Sequence, residues 1–180
     1  MKKILLLILL TPLITFAHPH VYADIDLNLK VQNNQLTEIE ISWNYDDMTS
    51  QILLMDYDKN RDGKFSKKES MFFKSQVFDT LKPYEYYTHV KIDGKKVPVD
   101  HIMNNFFLSF KNNKFIVNYR VILKDIPQKK NIDIGFWDKE FYSSFDLSSK
   151  TIKFNGKKLK YSIEEVEDDI FMGVVLKVKL

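Results

Sequence analysis

The chain has 180 residues, with 27 Lys and Arg against 24 Asp and Glu and no Cys. That length suits one domain with a modest insertion, and the absence of Cys excludes a disulfide framework and any thiolate metal site. A formal charge of +3, with Lys scattered among acids and no basic stripe, argues against a nucleic-acid partner.

Lys2 and Lys3 precede an apolar run from Ile4 to Leu10, and Thr15-Phe16-Ala17 sets small residues before a cut, so residues 1–17 read as a secretory signal peptide. The run is too short for a comfortable membrane span, and no later segment is apolar enough to cross a bilayer. Cleavage would leave a mature chain from His18 to Leu180, and a lysine-rich sequence with this leader points to the bacterial periplasm.

The new terminus reads His18-Pro19-His20. Side chains two apart on an extended chain share a side, so both imidazoles can converge on one ion, and imidazole suits zinc, copper, nickel and iron. Pro19 lacks the amide that a square-planar copper or nickel terminus needs. A copper brace through the α-amine and side chain of His18 stays open, as does the plain reading that two terminal histidines are incidental.

From Val21 to Lys30 apolar and polar residues alternate, and after Asn33-Asn34 the stretch Leu36 to Trp43 returns with Ile39, Ile41 and Trp43 on one face, predicting a hairpin. Asp46-Asp47 then offers a helix cap, and Met48, Ile52 and Met55 recur at helical spacing.

Asp58 to Glu69 reads Asp-Lys-Asn-Arg-Asp-Gly-Lys-Phe-Ser-Lys-Lys-Glu and fills every slot of an EF-hand calcium loop. Asp58, Asn60 and Asp62 offer side-chain oxygens, Lys64 its carbonyl, Ser66 a water-holding hydroxyl, and Glu69 a bidentate carboxylate; Gly63 permits the turn. The bland alternative is a solvated Asp/Asn/Gly turn. Three carboxylates amid Lys59, Arg61, Lys64, Lys67 and Lys68 predict weak binding, with a dissociation constant on the order of 0.1 to 1 mM. With no second loop to pair with, Ca2+ would act as a structural staple. Met71, Phe72, Phe78 and Leu81 then predict a second helix that must stop by Pro83.

Strand periodicity resumes over Tyr86–Ile92 and Val97–Val99 around Asp93-Gly94, then Phe106–Phe110, Phe115–Leu123, Ile132–Trp137 and Tyr142–Leu147. Ile152–Phe154 and Leu159–Tyr161 around Asn155-Gly156 predict another hairpin, and Gly173–Val178 closes the series. The expected fold is a mainly β, antiparallel β-sandwich of about nine strands over residues 18–180, with an EF-hand-like helical insertion at 47–82 between the second and third strands.

Only His89 and His101 complete the histidine inventory. His89 alternates away from Thr88, Val90 and Ile92, a polar-face position that is often merely solvated, and His101 falls in a loop. A transition-metal site would therefore draw on His18, His20 and His89, with a carboxylate or water fourth; Asp138 and Asp46 are the first carboxylates to test.

His18-Pro19-His20-Val21-Tyr22, Trp43 to Met48, the Asp58–Glu69 loop, Tyr86-Tyr87-Thr88-His89 before Asp93-Gly94, and Trp137-Asp138 with Phe141-Tyr142 together resemble the ZevA-like periplasmic family, catalogued as a domain of unknown function. The resemblance covers nearly the whole mature chain. It implies a periplasmic metal-binding protein, zinc being the metal implicated, that works beside an inner-membrane permease of the nickel/cobalt type. It also places His18, His20 and His89 among recurrent positions. Lys139-Glu140 departs from the family's Pro-containing turn, and a histidine-rich loop is missing.

The leading expectation is a zinc-binding protein that passes its ion to a membrane transporter and is not an enzyme. There is no His-Glu-x-x-His helix, nucleophile setting or phosphate loop. A calcium-stabilised envelope interaction module and a copper-brace metalloenzyme are the alternatives.

Overall fold

The computed structural model describes residues 20–123, 131–140, 142–167 and 172–180, so the leader and His18 lie outside the described residues. Alternating burial builds the first hairpin. β1 (Val21–Gln32) hides Ala23, Ile25, Leu27, Leu29 and Val31, and pairs antiparallel with β2 (Gln35–Tyr45). Asn33 and Asn34 turn it with φ of 50° and 58°, a left-handed conformation that Asn tolerates better than most residues.

Two helices follow, α1 (Asp47–Tyr57) and α2 (Lys67–Gln76), inserted where the periodicity placed them. Asp46 caps α1 through the Thr49 amide at 2.9 Å, and Ser66 with Glu69 forms a reciprocal capping box on α2. The second helix ends earlier than predicted: residues Phe78–Tyr87 are 3-10 turns interrupted by left-handed residues, with Pro83 inside, and β3 (Thr88–Ile92) begins only afterwards.

β3 pairs with β4 (Lys95–Val97) across the Asp93-Gly94 turn, as expected. β5 (Met103–Lys111) and β6 (Lys114–Ile122) form a hairpin with a bulge between Asn104 and Phe107. β7 (Asn131–Trp137), β8 (Ser143–Asp146), β9 (Ile152–Asn155), β10 (Lys160–Glu167) and β11 (Met172–Lys179) complete the described strands.

The strands divide into two sheets. One runs β5-β6-β2-β1-β8 with β9 also on β1, and the other runs β10-β11-β7-β3-β4. One continuous hydrophobic cluster draws on both, and the Thr88 hydroxyl bonds across it to the Tyr119 hydroxyl at 2.5 Å. The first sheet is mixed, because β8 and β9 run parallel to successive parts of β1. Thr151 bridges the interval by donating to the Ile25 carbonyl at 2.7 Å. The Asn155-Gly156 hairpin is corrected for the same reason: β9 joins β1 whereas β10 pairs with β11 in the other sheet, so the turn connects layers.

The helix pair is bolted to the β5-β6 hairpin by two buried serines. Ser50 Oγ accepts the Phe115 amide at 2.9 Å and donates to the Tyr45 carbonyl at 3.0 Å, and Ser70 Oγ accepts the Leu108 amide at 3.1 Å. Phe73 and Phe115 pack at 5.3 Å beside them. This corrects the apolar faces inferred from spacing: Met48, Ile52 and Met55 on α1, and Met71 and Phe72 on α2, point to solvent. Strand amides at the hairpin needed partners, and serine hydroxyls turned inward supply them.

Candidate metal sites

Two places gather ligand-type side chains. The first is the loop between α1 and α2, which is organised around its own oxygens. Asp58 Oδ2 accepts the Gly63 amide at 2.8 Å and its Oδ1 the Asp62 amide at 3.2 Å. Asn60 Oδ1 also takes the Asp62 amide at 3.2 Å, and Asp62 Oδ1 takes that of Lys64 at 2.8 Å. Arg61 and Gly63 have φ of 59° and 73°, which wraps the chain around Asp58. Ser66 lies at the loop's far end.

Glu69 closes the loop from α2. Its Oε1 accepts the Lys59 amide at 2.9 Å, and its Oε2 accepts the Ser66 amide at 2.9 Å and hydroxyl at 2.7 Å. Ser66 holds the Glu69 carboxyl below the ordinary carboxylate value, so the group is ionised at neutral pH. Each ionised carboxylate has about four lone-pair sites, so these amide contacts orient the oxygens and leave acceptor capacity. Hard oxygens from one short segment are the donor type that calcium takes, but Asp58, Asp62 and Glu69 are not gathered as a metal-holding group in this structure.

The second place is a corner where both sheets end. His89 lies on β3 opposite Gly135 of β7, on the face away from Thr88, Val90 and Ile92. It is not solvated: its side chain is 10% exposed and stacks on Trp137 with ring centroids 3.7 Å apart and planes at 10°. A Cβ on Gly135 would lie 2.0 Å from the Trp137 ring, so glycine is what lets the indole lie flat there.

Glu85 fixes the imidazole. Its Oε2 is 2.7 Å from His89 Nδ1, and its other oxygen pairs with Lys96. Burial works to raise the Glu85 pKa, but hydrogen bonds from Lys96 and His89 bring it below the ordinary value. An ionised carboxylate only accepts, which assigns the proton to Nδ1. Burial chiefly pushes His89 below its usual pKa, while Glu85 and the Trp137 carbonyl, both acceptors, work to raise it; Nε2 lies 3.3 Å from that carbonyl. A histidine whose second nitrogen donates to a carboxylate is the usual arrangement behind a metal-binding imidazole. Periodicity did not reveal Glu85, because it precedes the strand.

The backbone there is strained. Glu85, Tyr86 and Tyr87 have φ of 56°, 52° and 49° in succession, a conformation costing about 1–2 kcal/mol per residue. Packing offsets this cost: Tyr86 stacks on Phe78 at 4.9 Å, and the hydroxyl of the half-buried Tyr87 bonds to Asp138, with burial first and the Asp138 charge second raising its pKa. A cleft of about 240 Å³ opens between Tyr84, Glu85, His89, Trp137 and Lys139.

Asp138 is buried, with its oxygens on the Glu140 amide at 2.9 Å and the Ser143 amide at 3.0 Å. It ties the loop after β7 to the start of β8. Asp46 is similarly engaged, accepting the Thr49 hydroxyl at 2.7 Å and the Tyr22 amide at 3.3 Å. His20 is exposed at the start of β1; its amide donates to the Tyr142 carbonyl at 2.8 Å, and its ring lies 5.2 Å from that of Tyr142. His20 thus contacts Tyr142, whereas His89 contacts Trp137 and Glu85. Among the described residues, no three His, Cys, Asp or Glu side chains are grouped to hold a metal ion; this includes Asp58, Asp62 and Glu69 of the loop, and a histidine site would need His18 from outside the described residues.

The fold and these two places define a mainly β protein with a helical insertion and no helix, among the described residues, long and apolar enough to cross a membrane. A family profile described as "Protein of unknown function (DUF1007)" matches residues 3–169, and the chain belongs to that family. It is also 32% identical over 92 residues to an uncharacterized 15.5 kDa protein in the trpE 3' region of Spirochaeta aurantia; the match covers 51% of this chain and 65% of that relative's length.

Proposed function

We propose that this protein is an exported metal-binding protein of the ZevA-like kind, which takes up zinc at the corner around His89 and carries a calcium-braced helix pair. The observation behind the reading is the oriented imidazole: Glu85 on Nδ1 at 2.7 Å, Trp137 stacked on the ring, and the ring lining a cleft. His89 would be one ligand, with His20 and His18 proposed as the others. Asp138 then serves as a brace for the 138–143 loop, with water as the fourth ligand. Zinc suits a nitrogen set with an open position.

The role proposed for the bound ion is delivery to an inner-membrane permease of the nickel/cobalt type from the periplasm. The Asp58–Glu69 loop is assigned Ca2+, with Asp58, Asn60, Asp62, the Lys64 carbonyl, Ser66 and Glu69 around the ion.

The test is zinc titration of the processed chain against a competing chelator, after mass spectrometry has established that it begins at His18. His89→Gln should weaken binding at least ~100-fold, and Glu85→Gln, which leaves all ligands present, about 10-fold to 100-fold. Native affinity in His89→Gln would overturn the assignment.

A further inference from the structure

The helix pair turns apolar side chains outward, as the buried serines require. On α1, Met48, Ile52 and Met55 are 68%, 52% and 81% exposed and follow one helical stripe. On α2, Met71 and Phe72 are 48% and 45% exposed, each one turn beyond Lys67 and Lys68. Residues 56–68 add Lys59, Arg61 and Lys64 to those two lysines, all exposed, against only Asp56 and Asp62 as exposed acids. Asp58 and Glu69, both turned inward onto backbone amides, reduce the net charge of the segment without occupying its exposed face.

Cation and apolar surface are contiguous here. Lys59 Nζ lies 5.6 Å from the centre of the Phe72 ring, and a groove of about 470 Å³ is lined by Lys59, Asn60, Ser66, Lys68, Glu69 and Phe72. Exposed apolar side chains rimmed by lysines are the pattern of an interfacial membrane surface, and an anionic leaflet attracts each nearby Lys or Arg.

We propose that the helix–loop–helix docks on an anionic phospholipid bilayer, with Met71 and Phe72 entering the headgroup boundary and Lys59, Lys67 and Lys68 pairing with lipid phosphates. Charge complementarity selects this occupant. A second copy of the chain in a two-fold contact would bring the same cations face to face. The inference is independent of the zinc reading, because no residue of the His89 corner takes part.

The experiment is cosedimentation of the full processed chain with vesicles of phosphatidylcholine alone and of phosphatidylcholine doped with phosphatidylglycerol. Binding is expected only to the anionic vesicles, weakening as salt rises. Lys67→Glu with Lys68→Glu should lower the partition coefficient at least ~20-fold. Met71→Ser with Phe72→Ser should also release the protein while leaving its melting temperature near native, since both side chains are exposed. Absence of binding, equal binding to neutral vesicles, or unchanged binding by either double variant would overturn the proposal. So would a dimer in analytical ultracentrifugation that the same substitutions dissociate.

Discussion

The α1–α2 loop and the His89 corner hold their polar groups by opposite means. In the loop, contacts reach only a few positions along the chain: Asp58 to Gly63, Asp62 to Lys64, Glu69 to Lys59. In the corner, His89 meets Trp137 48 positions away, and three left-handed residues persist because Phe78, Asp138 and the β3-β7 pairing surround them. The loop can take its shape from local sequence once its helices exist. The corner exists only when both sheets are assembled.

The largest expected effect breaks the corner alone. In Gly135→Ala, the new methyl falls 2.0 Å from the Trp137 ring, so the indole must leave its place over His89. Overpacking of this kind costs about 1–3 kcal/mol. Denaturant titration should show that loss, Trp fluorescence should shift, and zinc affinity should fall, whereas any calcium-induced melting shift should survive. Native-like fluorescence and stability in this variant would show that the stacking does not hold the corner.

A smaller effect should be confined to the loop. Glu69→Gln keeps the side chain's shape but removes the charge that faces the Lys59 and Ser66 amides. Calcium affinity measured by calorimetry should drop at least ~10-fold, with a stability loss of about 1 kcal/mol from the weakened capping box. Zinc binding should remain native, and a parallel loss there would mean that the two regions communicate.

Legibility followed the same division. The helix–loop–helix around Asp58 to Glu69 was readable because its turn and cap residues are contiguous, and the Asn33-Asn34 and Asp93-Gly94 turns because their geometry depends on two residues. Alternation correctly put His89 opposite Val90, but nothing local distinguishes a solvated histidine from one roofed by a tryptophan. Glu85 was invisible since its role depends on a left-handed turn that non-glycine residues rarely adopt. The helix faces were inverted because Met48, Ile52 and Met55 look like a core stripe, while Ser50 and Ser70 are buried for amides contributed by distant strands. Asn155-Gly156 carries a hairpin signature, yet the sheet to which each flanking strand belongs is decided by partners far along the chain.

The smallest effect lies between the two regions, at Asp46, which caps α1 through Thr49 and also accepts the Tyr22 amide beside His20. Asp46→Ala should cost about 1 kcal/mol and Asp46→Asn only a few tenths, since Asn caps nearly as well. Burial works to raise this carboxyl, but hydrogen bonds from Thr49, Tyr22 and Met48 hold it below its ordinary value of 3.8. A depressed carboxylate adds stability above the unfolded-state value and loses it as pH falls through the folded one. Wild type should therefore lose its advantage over Asp46→Asn in acid, while the two remain parallel at neutral pH. Superimposable profiles down to acid would assign the cap to its oxygen geometry alone, with no contribution from charge at the junction of helix pair and histidine corner.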